Sequence, residues 1–117
     1  MLSLPLNVNI YLCATPVDLR KSFDGLSGLV ESVFERNVLD GHLFLFVNKR
    51  HDRLKALWWE KGGLVIWYKR LERGSFEMPQ PASDQVHVTL DATELAMLLG
   101  GVSLASAKRR TRFAVPA

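Results

Sequence analysis

HLFLFVNKRHDRLKALWWEKGGLVIWYKRLER, residues 42–73, reads as three antiparallel strands joined by two tight connections. HLFLFV (42–47) is an unbroken β-branched and aromatic run, and Asn48-Lys49-Arg50-His51-Asp52 is a polar turn. RLKALWWE (53–60) is the second run, Lys61-Gly62-Gly63 the second turn and LVIWYKRL (64–71) the third run. Gly62-Gly63 offers the positive φ angles that a short hairpin connection needs without steric cost. A meander of this length supplies enough apolar surface to nucleate a domain.

Working outward, NVNIYLC (7–13) alternates as a strand with Val8, Ile10 and Leu12 on one face. Thr15-Pro16-Val17-Asp18 has the residue types of a helix start, and the helix is expected to run to about Phe34. Phe23, Leu26, Val30, Val33 and Phe34 recur at helical spacing and form its apolar stripe. Gly25 and Gly28 inside that helix imply close packing against the sheet. Beyond the meander, FEM (76–78) is a candidate short strand, and Pro79 and Pro81 predict an extended, flexible passage to Asp84. VHVTL (86–90) is a further strand. Asp91, with Glu94 three residues on, opens a helix that ends at Gly100.

The expected fold is α+β, a single domain over residues 1–104. It comprises an antiparallel β-meander (about 42–71) with extra short strands, one long helix (about 16–34) packed on the sheet, and a short C-terminal helix (about 91–100). Residues 105–117 form a basic tail that is too polar and small to bury itself and is expected to fray.

The 117 residues carry a formal charge of +3, but unevenly. Residues 49–73 hold eight Lys/Arg against three Asp/Glu, a net of +5, whereas residues 74–107 hold no cation and four acids. The Lys108-Arg109-Arg110-Thr111-Arg112 tail is basic again. This pattern fits a polyanion partner. Cys13 is the single cysteine, which excludes an internal disulfide and fits a reducing cytosol, with the thiol as a small core group. The N-terminus has no signal-peptide pattern, and no apolar run approaches the ~20 residues that span a bilayer. The expectation is a cytoplasmic protein without a membrane partner.

Catalytic signatures are weak. His42, His51 and His87 are scattered and lack a Cys-x-x-Cys or His-Glu-x-x-His partner, so no metal or other cofactor is expected. No phosphate-loop or nucleophile-elbow pattern is present. A two-metal nuclease needs converging acids, while Asp18, Asp24, Asp40, Asp52, Asp84 and Asp91 sit mostly where caps and turns use them. The reading is therefore non-enzymatic, with metal-dependent DNA cleavage as the third alternative.

The stronger signal is cations interleaved with aromatics. Lys49, Arg50 and Arg53 crowd one turn, and Lys69, Arg70 and Arg73 crowd the end of the third strand. Arg53, Lys55, Leu57 and Trp59 share one face of their strand, and Val65, Trp67, Lys69 and Leu71 share one face of the next. If those faces coincide, Trp59 and Trp67 lie among cations on one surface suited to phosphates and bases. DNA is the first expected partner, through Lys49, Arg50, Arg53, Lys55, Lys69, Arg70 and Arg73.

These residues resemble a known family, the TnpB (Orf2-like) accessory proteins of bacterial insertion sequences of the IS66 type. DLRKSFDGLSGLV (18–30), residues 41–76 from GHLFLFV through KRLERGSF, and LAMLLGGV (95–102) carry the resemblance. Where the family pattern has Trp-Pro, this chain has Met78-Pro79, and beyond about Leu104 nothing firm matches. The resemblance implies a small non-catalytic protein encoded beside a separate DDE-type transposase and needed for efficient transposition of the mobile element. It leaves the molecular act open. The second reading is thus an adaptor for that transposase, with Trp58, Trp59 or Trp67 as anchors. Sheet edges also leave room for a homodimer.

Overall fold

The structure, a computed structural model, describes residues 7–79 and 84–100. The elements in order are β1 (Ile10–Cys13), α1 (Phe23–Ser32), a single 3-10 turn (Val38–Asp40), β2 (Leu43–Val47), β3 (Arg53–Glu60), β4 (Gly63–Arg70), β5 (His87–Leu90) and α2 (Ala92–Gly100). The five strands form one sheet in the order β4-β3-β2-β1-β5. The fold is α+β, as the sequence implies, and the meander β2-β3-β4 is antiparallel throughout. β1 instead pairs parallel to β2 through the α1 crossover, and β5 adds antiparallel on its far side, so the sheet is mixed.

Helices cover both faces. Tyr11, Cys13, Phe44, Phe46 and Leu57 pack with Leu26 and Val30 of α1. Ile10, Leu12, Leu43, Leu45, Val47, Leu54 and Ala56 pack with Leu95 and Leu98 of α2. β2 is thus buried on both sides, which is why its sequence is an unbroken apolar run. Each such side chain taken from water contributes roughly 1.5–3 kcal/mol.

Helix α1 starts later than its apparent start signal. Residues 15–22 are not helical, because Val17 and Leu19 turn into the α1-side core and the Val17 N–H donates to the Val47 carbonyl at 2.9 Å. Asp18 spends its carboxylate on a turn, accepting from the Arg20 N–H at 3.0 Å, rather than on a helix cap. The N-cap is Ser22, without a side-chain bond. Phe23 is correspondingly exposed at 44%, while Phe34 is buried just beyond the helix. The two glycines do not meet the sheet: a Cβ at Gly25 would approach the Lys21 stem, and one at Gly28 would meet nothing within 4 Å. Close packing is therefore not their explanation, and nothing in the structure explains Gly28.

The second hairpin connection is shorter than the sequence suggests. Lys61 (φ 47°) and Gly62 (φ 85°) carry the positive φ angles, and Gly63 already pairs with Glu60 as a strand residue. This is the two-residue loop that matches strand twist. FEM (76–78) forms no strand: Phe76 is a buried plug in the α2-side core, and its N–H donates to the His51 carbonyl at 2.6 Å. Helix α2 has the reciprocal cap expected of it, Asp91 N–H to Glu94 Oε1 at 3.1 Å and Glu94 N–H to Asp91 Oδ1 at 2.7 Å. The expected loop through Gln80 and Pro81 and the basic tail lie outside the described residues.

Candidate nucleic-acid interface

The turn between β2 and β3 is built around Asn48. Its Oδ1 accepts from the N–H groups of Asp52 (3.1 Å) and Arg53 (3.0 Å), and its Nδ2 donates to Asp52 Oδ1 at 2.7 Å. His51 takes a left-handed φ of 59°, and its N–H donates to the Asn48 carbonyl. The Asp52 carbonyl accepts from the Leu71 N–H and the His51 carbonyl from the Phe76 N–H, so the chain leaving the meander buttresses the turn. Lys49 and Arg50 stand exposed on the outer corner of this braced loop.

Across from it runs the 16–20 segment, held by the Val17–Val47 bond. Between the two opens a cleft of about 630 Å³, with Tyr68 of β4 in its lining. Four cations line it, Arg20, Lys49, Arg50 and Arg53, against the two acids Asp18 and Asp52, for a net of +2. Arg20 binds Asp18 through both Nε and Nη2, and that hydrogen bonding lowers the Asp18 carboxyl from 3.8 to about 2. Asp52 is also lowered, chiefly by the Asn48 side-chain bond. Arg53 Nη1 donates to the Tyr68 hydroxyl at 3.0 Å. The arrangement can receive an anion at its rim while its two carboxylates are occupied internally.

The comparisons with known proteins bear on most of the chain. The family described as IS66 Orf2 like protein matches residues 8–109. The chain belongs to the IS66 Orf2-like family. It is 31% identical over 103 residues to the uncharacterized protein y4jC of Sinorhizobium fredii, covering 88% of this chain and 86% of that one. It is 31% identical over 96 residues to the uncharacterized protein y4hO of the same organism, covering 82% of each. No solved structure matches. Membership ties this Orf2-like protein to transposition of IS66-type insertion sequences, in an accessory role. The match also runs past Leu104, to residue 109 in the basic tail.

Within the Orf2-like fold the cations read from sequence divide into groups. Lys49, Arg50 and Arg53 gather at the cleft, and Arg73 is exposed just beyond β4. Lys55 is 9% exposed, and its Nζ donates to the Lys21 carbonyl at 2.9 Å, pinning β3 to the start of α1. Lys69 Nζ donates to the Leu99 carbonyl at 2.9 Å, satisfying a helix C-terminal carbonyl of α2. Arg70 pairs with Glu72 at 2.8 Å on the surface.

The two faces proposed to coincide are opposite. Arg53, Lys55, Leu57 and Trp59 sit across from Arg70, Tyr68, Ile66 and Leu64 on the α1 side. Trp67 and Lys69 point to the α2 side, where Trp58 and Trp67 pack on the core. Trp58, Trp59 and Trp67 are all half-buried. Sequence reasoning did not single out Arg20, Asn48 or Tyr68. The Asp-x-Arg spacing at 18–20 and the alternation of β4 were the available signals. His42 and His87 pack edge-on against Tyr11 while His51 holds its turn, and among the described residues no three His, Cys, Asp or Glu side chains are placed to share a metal ion. No helix among them is long and apolar enough to cross a membrane.

Proposed function

We propose that this Orf2-like protein serves transposition as a non-catalytic DNA-binding accessory. The observation that carries this reading is the braced corner formed by two separate chain segments, which sets Lys49, Arg50, Arg53 and Arg20 around one cleft. A rigid loop holding several cations loses little freedom on meeting phosphates, and each neutralised phosphate releases counterion. Arg73 extends the basic surface beyond it. The test is binding of the purified chain to labelled element-end DNA and to scrambled DNA, each titrated with salt. Three or four phosphate contacts give a slope of log affinity against log salt of roughly −3 to −4. Salt-insensitive binding, or none at low salt, defeats the reading.

A second reading, an adaptor for the separately encoded transposase, is favoured by β4. This eight-residue strand is a sheet edge, and Leu64 to Trp67 along it are half-buried apolar residues. An edge of this kind accepts an added strand from a partner. Co-purification of the transposase that survives Trp58→Ala, Trp59→Ala and Trp67→Ala argues against anchoring through these side chains.

A further inference from the structure

We infer that the cleft is a single-strand DNA site in which Tyr68 is the platform for one unpaired base. This rests on the DNA-binding reading and adds the form of the ligand. Tyr68 is 47% exposed and lies in the lining of the basic cleft, unlike the three half-buried tryptophans. Its ring is fixed from two directions. Arg53 Nη1 donates to the hydroxyl at 3.0 Å, and the Lys55 ammonium stands 5.0 Å from the ring centroid. Lys55 is in turn tied to the Lys21 carbonyl, so the ring is clamped by groups that belong to the fold. Lys55 lies over one face of the ring, and Tyr68 nevertheless stays 47% exposed in a cleft lined by cations.

That pairing suits a base and its phosphates together: the ring takes the base, and Lys49 and Arg50 meet the backbone. Duplex DNA presents phosphates to such a corner but keeps its base faces stacked inside, out of reach of a tyrosine ring. A cleft of about 630 Å³ falls in the size range of sites for small molecules, enough for a nucleotide and far too small for a double helix. Single-stranded DNA therefore gains a contact that duplex DNA lacks.

The experiment uses the full chain and fluorescein-labelled oligodeoxynucleotides of about 12 residues. The ligands are a single strand, the same sequence as duplex, and a sugar–phosphate oligomer of equal length without bases. The single strand is expected to bind most tightly. Tyr68→Leu should weaken it by roughly 5- to 150-fold, with duplex and base-free affinities unchanged. Tyr68→Phe, which keeps the ring and loses the Arg53 bond, should stay within about threefold of the parent. Circular dichroism melting of each variant confirms that the sheet is intact. Equal binding of all three ligands, or a Tyr68→Leu loss shared by all three, overturns the stacking site while the DNA reading stands. Failure of every ligand to bind at low salt overturns both.

Discussion

Lys49 and Lys55 lie six residues apart on one hairpin and carry the same charge, yet the fold uses them in opposite ways. Lys49 stands on an outer corner facing water, while Lys55 is buried with its ammonium on the Lys21 carbonyl. Arg50 and Lys69 repeat the contrast: Arg50 lines the open cleft, and Lys69 holds the end of α2. Availability of a cation is decided by whether the fold supplies it an acceptor. The net +5 of residues 49–73 therefore overstates the charge offered to a partner, since two of its eight cations are tied to backbone carbonyls and Arg70 is shared with Glu72.

The contrast is open to direct attack. Reversing the corner with Lys49→Glu and Arg50→Glu together should lower DNA affinity on the order of 100-fold and flatten the salt slope by about two, with the melting temperature unchanged. A melting temperature that drops with it would make these side chains structural, like Lys55. Lys55→Met should do the reverse, costing roughly 1–3 kcal/mol of stability in denaturant unfolding through the lost charge-assisted bond. It should leave duplex affinity within a few-fold. Lys69→Met should cost about 0.3–1 kcal/mol, the usual worth of a cation at a helix C-terminus.

The smallest effect concerns acid. The folded Asp18 carboxyl, at about 2, lies below its ordinary 3.8, so its bonds to Arg20 favour the fold above the ordinary value and are lost as pH falls through about 2. Both partners are exposed, so the pair leaves global stability nearly untouched. A carboxyl NMR titration should place Asp18 near 2, and Arg20→Ala should return it toward 3.8.

The same contrast shows what the sequence could and could not convey. The meander, β5 and the Asp91–Glu94 cap were legible, because alternation and capping are local signals. The start of α1 was not, since Asp18 offers the same carboxylate to a turn as to a helix cap, and only the burial of Val17 and Leu19 decides between them. The faces of β4 turned on one residue. A three-residue turn over Lys61-Gly62-Gly63 would set Lys55 opposite Lys69, whereas the two-residue turn sets it opposite Tyr68 and reverses every side chain of the strand. Tyr68 enters the cleft, and Trp67 leaves the basic surface, through that single step. The parallel partner of β1 was hidden for another reason: its pairing spans the whole α1 crossover and leaves no local trace.

The strand order has a consequence for how the molecule opens. β5 pairs with β1 across some eighty residues of chain, Ile10 opposite Leu90, whereas β2, β3 and β4 are joined by turns of a few residues. Closing the longer span costs more entropy, and β5 forms the terminal flap of the sheet beside β1. Amide exchange should run faster in that flap than in the meander. The cleft is assembled from the 16–20 strap, the Asn48 turn and Tyr68, none of which belongs to the flap. Breathing at the sheet's far edge can therefore proceed without dismantling the basic corner.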